Sequence, residues 1–267
     1  MTSAPRFAVR RRKTKGSWLL RVEVTPAWCG GGQRMSHGED NPGGSELDSG
    51  ELLLEIYRRL FERFGPQGWW PAESDFEMVI GAILTQSTAW VNVEKAIANL
   101  MQEGLLTPDA VAGLSEARLA ELITPSGYFR QKARKVKAFV EYLRDGHGGD
   151  LDAMFHVKLP ELRKKLLTVW GIGPETADSI ILYGARQPIF VVDAYTRRIF
   201  GRLGLSAPNA SYDTLQRLLM DQLPPAAPLF QEYHALLVAL GKEICRPTPL
   251  CSRCPLHEIC PSSLQSA

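Results

Sequence analysis

Residues 166–182 read LLTVWGIGPETADSIIL, and the fold is argued from this stretch. Leu166 to Trp170 has the composition of an apolar helix end, and Gly171-Ile172-Gly173 permits a tight turn. Pro174 suits the first position of a helix, and an amphipathic pattern then resumes through Leu182. The segment therefore predicts a helix-hairpin-helix. Glycines let such a turn approach an anion closely, while open N–H groups at the following helix start supply donors and a favourable dipole. Ordinary αα-hairpins also use glycine, so the neighbouring motifs have to separate a phosphate grip from a packing device.

Outward from the hairpin the pattern stays helical. Leu53, Ile56, Tyr57, Leu60 and Phe64 recur at three and four until Gly65-Pro66, and Ser74 with Glu77 forms a capping box before Phe76, Val79, Ile80, Ile83 and Leu84. Further helices fit 91–103, 115–123, 128–145, 159–169, 175–184, 194–204, 211–223 and 229–243. Only Pro188 to Val192 is strand-like, and one such run cannot make a sheet, so it reads as an extended linker in an all-α protein. Residues 1–45 join a basic cluster (Arg10, Arg11, Arg12, Lys13, Lys15) to a Gly-rich stretch and read as a flexible tail, with Cys29 a free thiol within it and Met35 a second possible start of translation.

Composition narrows the function classes. With 267 residues, 45% of them hydrophobic, the chain can bury one large core or two modest ones. No run approaches a membrane span and the N-terminus lacks the pattern of a signal peptide, so a cytoplasmic location is expected. The net charge is +2, but residues 1–34 hold eight Lys/Arg against one acid, so the rest of the chain is net acidic. Nucleic-acid binding then has to rest on local geometry rather than bulk charge. Four of the five cysteines, Cys245, Cys251, Cys254 and Cys260, share one Pro-punctuated segment spaced C-x5-C-x2-C-x5-C. Such clustering indicates metal binding rather than disulfides. Structural zinc usually takes two separated close pairs, whereas only Cys251 and Cys254 are close here, which favours a 4Fe-4S cluster.

Asp193 lies twenty positions after Gly173, beyond the apolar Ile189 to Val192 and just before a helix. It reads as an N-cap, and equally as a carboxylate able to stabilise positive charge on a sugar whose N-glycosidic bond is breaking. Trp69-Trp70-Pro71 and Trp90 are core material or faces for a base to stack on. Arg130, Arg134 and Lys137, with Lys132 and Lys135 adjacent, make either a solvated helix face or a set of phosphate contacts. His147, His156, His234 and His257 show no ligand spacing and read as surface or packing residues.

Together LLTVWGIGPETAD, VVDAYTRR around Asp193, SGYFRQKA at 126–133, LTQST at 84–88 and the terminal cysteines resemble the endonuclease III branch of the helix-hairpin-helix DNA glycosylases, over about Glu51 to Cys260. The resemblance implies two helical domains, 46–72 with 188–267 around the iron-sulfur cluster and 73–187 around the hairpin, with DNA across the cleft between them and a base flipped into it. It implies Asp193 as the catalytic carboxylate, phosphate contact at Gly171, Ile172 and Gly173, and insertion of Gln86 into the gap left by the base, with Arg130 and Lys132 as further DNA contacts. Bifunctional members carry a Schiff-base lysine where this chain has Glu175, so lyase chemistry there is expected to be absent and Glu175 to orient water or the base. The first cysteine interval, five residues, is one shorter than the family's usual six. The WWP motif and LTQ-x-T-x-aromatic pattern look like the members that remove 3-methyladenine, since a cationic base gains from indole faces and leaves without a general acid. The expected protein is a monofunctional glycosylase, monomeric, acting on damaged double-stranded DNA. A bifunctional oxidised-pyrimidine enzyme using Lys132 or Lys242, and a non-catalytic DNA-binding scaffold, are the alternatives.

Overall fold

Ser74 accepts a hydrogen bond from the backbone N–H of Glu77, and the Glu77 carboxylate reaches one residue past the N-cap to accept from the N–H of Glu73, a variant of the capping box read in the sequence. It starts α2 (Asp75–Leu84), the most completely buried helix of the hairpin half, with Ile80, Ile83 and Leu84 fully inside. The computed structural model describes residues 6–14, 17–25, 49–207 and 209–264. Around α2 lie α3 (Trp90–Gln102), α4 (Pro108–Gly113), α5 (Glu116–Leu122), a 3₁₀ turn at Thr124–Ser126, α6 (Phe129–His147), α7 (Leu151–Phe155), α8 (Leu159–Leu166) and α9 (Pro174–Ser179), the last running into a π turn at Ile180–Gly184. A second group packs α1 (Ser49–Phe64) against α11 (Tyr212–Gln222) and α12 (Ala227–Glu243), with α10 (Ala194–Arg202) laid across α12. Short 3₁₀ turns at Cys251–Arg253 and His257–Ile259 lead into α13 (Pro261–Leu264). No helix among the described residues is long and apolar enough to cross a membrane.

The two groups share one continuous apolar core, because Ile189 to Val192 is buried between them as an extended linker, as its composition suggested. The close approach of α10 to α12 depends on Gly241: a Cβ there would meet the Tyr195 ring at 2.3 Å. Apart from one hairpin, the described elements are helical, and the all-α expectation holds for the chain from Ser49 onward.

That hairpin lies within residues 1–45, which read as a flexible tail in the sequence. β1 (Arg6–Thr14) pairs antiparallel with β2 (Ser17–Thr25), placing Phe7 opposite Val24 and Val9 opposite Val22. The period-two recurrence of Trp18, Leu20, Val22 and Val24 is the local reason. Cys29 and Met35 lie outside the described residues. The short helices α4 and α7 were also missed, since a run of five or six residues shows less than two turns of periodicity.

Candidate functional site

The loop joining α8 to α9 makes the turn its glycines predicted. Gly171 holds φ +83, and a Cβ there would collide with the Lys135 side chain at 2.3 Å, so conformation and space both demand glycine. Gly173 has an ordinary φ of −92 as N-cap of α9, where no side chain caps the helix. The first N–H groups of α9 are thereby left without a side-chain acceptor. Ile172 anchors the turn at 5% exposure, while Trp170 stands half out with the Arg134 guanidinium 4.5 Å from its ring centroid.

Gln86 is brought to the hairpin but is not free there. Its Nε2 donates to the Gly171 carbonyl (3.1 Å) and to Thr176 Oγ1 (2.9 Å), and its Oε1 accepts from Lys135 Nζ. Arg130 is exposed. Lys132 requires correction: it is 2% exposed, and its ammonium donates to the carbonyls of Leu84 (2.8 Å) and Ser126 (2.6 Å), so it cannot reach a phosphate. Lys137 likewise serves the carbonyls at the end of α4. The one-sided basic face of α6 is thus split, with Arg130 and Arg134 outward and Lys132 and Lys137 spent on backbone. Sequence reasoning passed over Tyr128, 70% exposed at φ 46 beside Gly127, whose signal was a large aromatic in a turn rather than a helix.

Between hairpin and α10 opens a cavity of about 570 Å³. Trp69, Trp70 and Trp90 form one wall, their ring centroids 5.3 to 5.4 Å apart, and Trp90 Nε1 donates to Glu94 at 2.8 Å. Pro71 is exposed and not part of the lining, because the chain turns outward after Trp70. Asp193 and Glu175 line the same cavity, as does Lys242 of α12, whose ammonium lies 5.5 Å from the Trp69 ring centroid.

Asp193 is the N-cap that the sequence predicts, and its carboxylate also lines the cavity. As N-cap of α10 its Oδ1 accepts from Thr196 N (2.7 Å) and Thr196 Oγ1 (2.8 Å), while Oδ2 faces His234 Nε2 at 3.7 Å. Burial works to raise its carboxyl, but His234 and the Thr196 donors outweigh burial and hold it below the usual carboxylate range. Glu175 goes the other way: desolvation in the cavity, then the charge of Asp193, raises it, although much of the residue meets the open mouth. His234, read from the sequence as a packing residue, is therefore part of this site; forty-one positions separate it from Asp193, and only the α10–α12 crossing joins them.

A second cavity, about 240 Å³, is lined by Cys245, Cys251, Cys254 and Cys260, none in a disulfide. Burial raises the Cys254 thiol to about 11, with the other three cysteines adding to the rise. The four sulfurs share a space rather than a point: among the described residues no three His, Cys, Asp or Glu groups are gathered to hold a metal ion. Arg202, at the far end of α10, donates to Cys245 Sγ (3.3 Å) and to the carbonyls of Arg246 and Pro247.

With this geometry in hand, comparison with known proteins is informative. The family described as HhH-GPD superfamily base excision DNA repair protein matches residues 80–225. A candidate DNA repair glycosylase of Methanocaldococcus jannaschii is 42% identical over 79% of this chain and 96% of its own length. Endonuclease III of Thermotoga maritima is 30% identical over 78% of this chain and 92% of its own. Among solved structures, a 3-methyladenine DNA glycosylase of H. pylori bound to 1,N6-ethenoadenine superposes with TM-score 0.65 at 26% identity, covering 74% of this chain and 98% of that one. An endonuclease III–DNA complex gives TM-score 0.71 at 22% identity over 83% and 99%, which speaks to the fold alone.

Proposed function

Because the chain belongs to the HhH-GPD superfamily of base-excision DNA repair proteins, in its endonuclease III-like part, we propose that it is a monofunctional DNA glycosylase that hydrolyses the N-glycosidic bond of alkylated purines. The observation that carries this reading is that Asp193, its carboxyl held below the usual range by His234 and Thr196, lines one cavity with a wall of three indoles. An electron-poor base stacks on the indoles, and the Asp193 carboxylate stabilises the oxocarbenium-like sugar formed as the C1′–N bond breaks. Water adds at C1′ with loss of a proton to solvent or a cavity carboxylate, and a cationic base leaves neutral, so no general acid is needed. The hairpin amides at Gly171 to Gly173 grip a phosphate of double-stranded DNA, Arg130 adds a further contact, and one chain suffices for one lesion.

Glu175 stands where bifunctional relatives carry lysine, and a carboxylate cannot form an imine. Lys132 is committed to two carbonyls. Lys242 is the lysine on the cavity lining, and it favours the second reading, a lyase that forms its Schiff base from α12. The cysteine cavity suits a 4Fe-4S cluster held by Cys245, Cys251, Cys254 and Cys260: four thiols sharing a space larger than one ion need a cationic centre to be deprotonated together. Such a cluster, when bound, supplies iron–thiolate bonds that tie the loop together.

The test is single-turnover excision of 3-methyladenine and of an oxidised pyrimidine, with borohydride present in a parallel reaction. Asp193→Asn keeps the cap but removes the charge, which is comparable to one oxyanion-hole donor at about 3 to 4 kcal/mol, so excision should slow on the order of a hundred- to a thousand-fold with DNA affinity retained. Preference for the pyrimidine would overturn the alkylpurine assignment, and a borohydride-trapped adduct abolished by Lys242→Ala would establish the second reading.

A further inference from the structure

His234 lies in the middle of α12, 6% exposed, with Tyr183 (6%) on one side of its ring and Asp193 (9%) on the other. The Tyr183 hydroxyl is 2.6 Å from Nδ1 and 3.3 Å from the Gln231 carbonyl oxygen. Nε2 is shut off from solvent and has no hydrogen-bond partner among the described residues. The group it faces is Asp193 Oδ2 at 3.7 Å, the oxygen not engaged by Thr196.

Only a few proton arrangements satisfy this chain. If the Tyr183 hydroxyl donates to Nδ1, the neutral ring carries its hydrogen on Nε2, aimed at Asp193. If Tyr183 instead donates to the Gln231 carbonyl, Nδ1 must carry a hydrogen, and a neutral ring then turns a bare lone pair toward a carboxylate. Protonation of the ring removes that repulsion and again puts a hydrogen on Nε2. With Asp193 ionised, every arrangement free of repulsion therefore directs an Nε2–H at Oδ2.

We propose that His234, held by Tyr183, is a positioning residue that keeps Asp193 oriented and ionised for bond cleavage. The inference rests on the reading of Asp193 as the catalytic carboxylate. Thr196 alone fixes one oxygen and leaves the carboxylate free to turn about it; a donor at the second oxygen removes that freedom and favours the charged form. The other titratable groups that bear on Asp193 or line its cavity are Glu175 from α9, Tyr183 from the π turn, Glu94 from α3, Tyr195 from α10 and Lys242 from α12. They are unchanged in variants of His234, so a difference between such variants reports on Asp193.

The experiment compares His234→Leu, His234→Gln, Tyr183→Phe and Asp193→Asn in single-turnover excision across pH, on whichever of a 3-methyladenine or an oxidised-pyrimidine duplex the wild type cleaves faster. Affinity for a duplex with a tetrahydrofuran abasic analogue and thermal melting are measured alongside. His234→Leu should slow excision on the order of tenfold, the effect of removing the ring nitrogen that faces a buried carboxylate oxygen from 3.7 Å. Its acidic limb should move to higher pH while abasic-DNA affinity holds. His234→Gln, whose amide can donate to Oδ2, should recover part of the rate, and Tyr183→Phe should fall between the two. Wild-type rates in His234→Leu alongside an inactive Asp193→Asn would overturn the proposal alone, as would slowing with an unmoved acidic limb and no recovery in His234→Gln. Full activity in Asp193→Asn would instead remove the underlying reading. If His234→Leu does not fold, the glutamine and Tyr183→Phe variants carry the same comparison.

Discussion

Asp193 and Glu175 face one cavity, yet their surroundings push them apart. Asp193 loses more to burial but gains His234 and two donors from Thr196; Glu175 has burial and the neighbouring charge against it. The first therefore ionises more readily than a free carboxyl and the second less readily. Glu175 offers a test of this division. A carboxyl whose pKa is raised by folding binds its proton more tightly in the folded than in the unfolded state, so it costs no stability at low pH and costs progressively more as it ionises above the usual carboxylate range. Glu175→Gln should melt like the wild type at about pH 4 and at higher temperature than the wild type at about pH 7. Equal melting at both would mean that Glu175 is not pressed by the cavity.

The helix α6 illustrates how a charged stripe can mislead. Lys132 points into the domain, where Nζ closes the end of α2 through the Leu84 carbonyl and the 3₁₀ turn through that of Ser126. Burial, then the charge of Lys135, lowers its pKa to about 8. Lys132→Met preserves bulk but leaves two carbonyls unpaired, and should cost about 1 to 3 kcal/mol in denaturant unfolding. The slope of DNA affinity against salt should not change. A slope smaller by about one charge would return Lys132 to the DNA interface.

Across the whole molecule, α10 connects the two cavities. Asp193 caps its start, while Arg198 and Arg202 near its end donate to the Cys245 carbonyl, the Cys245 sulfur and two further carbonyls of the cysteine loop. Its nine residues span about 14 Å, so order in the loop reaches Asp193 through one rigid element. On the other side Asp178, fully buried on the hairpin helix, accepts from Arg163, Tyr212 and Gln216, and the Tyr212 hydroxyl also accepts from the N–H of Val192, next to Asp193. Cys254→Ser should lower iron content and the melting temperature together, with weaker DNA affinity, as read by metal analysis, visible absorption and melting. Stoichiometric zinc with no visible absorption in the wild type would reject the cluster.

The hairpin at Gly171 to Gly173, the capping box at Ser74, the buried linker at Ile189 to Val192 and the clustering of four cysteines were legible because each depends on chemistry between residues close in the chain: φ, caps, periodicity and spacing. Asp193 was legible as a cap for the same reason. What tertiary packing alone settled were contacts between distant segments. Lys132 and Arg130 lie on the same helix and look alike in sequence, but only packing against the ends of α2 and the 3₁₀ turn buries one and leaves the other in solvent. Pro71 belongs to the same motif as Trp69 and Trp70, yet the turn of the chain takes it out of the cavity. His234 carried no local sign at all: its place beside Asp193 follows from the crossing of α10 and α12, made close by Gly241, and a pattern within one helix holds no information about which residue lies across from it.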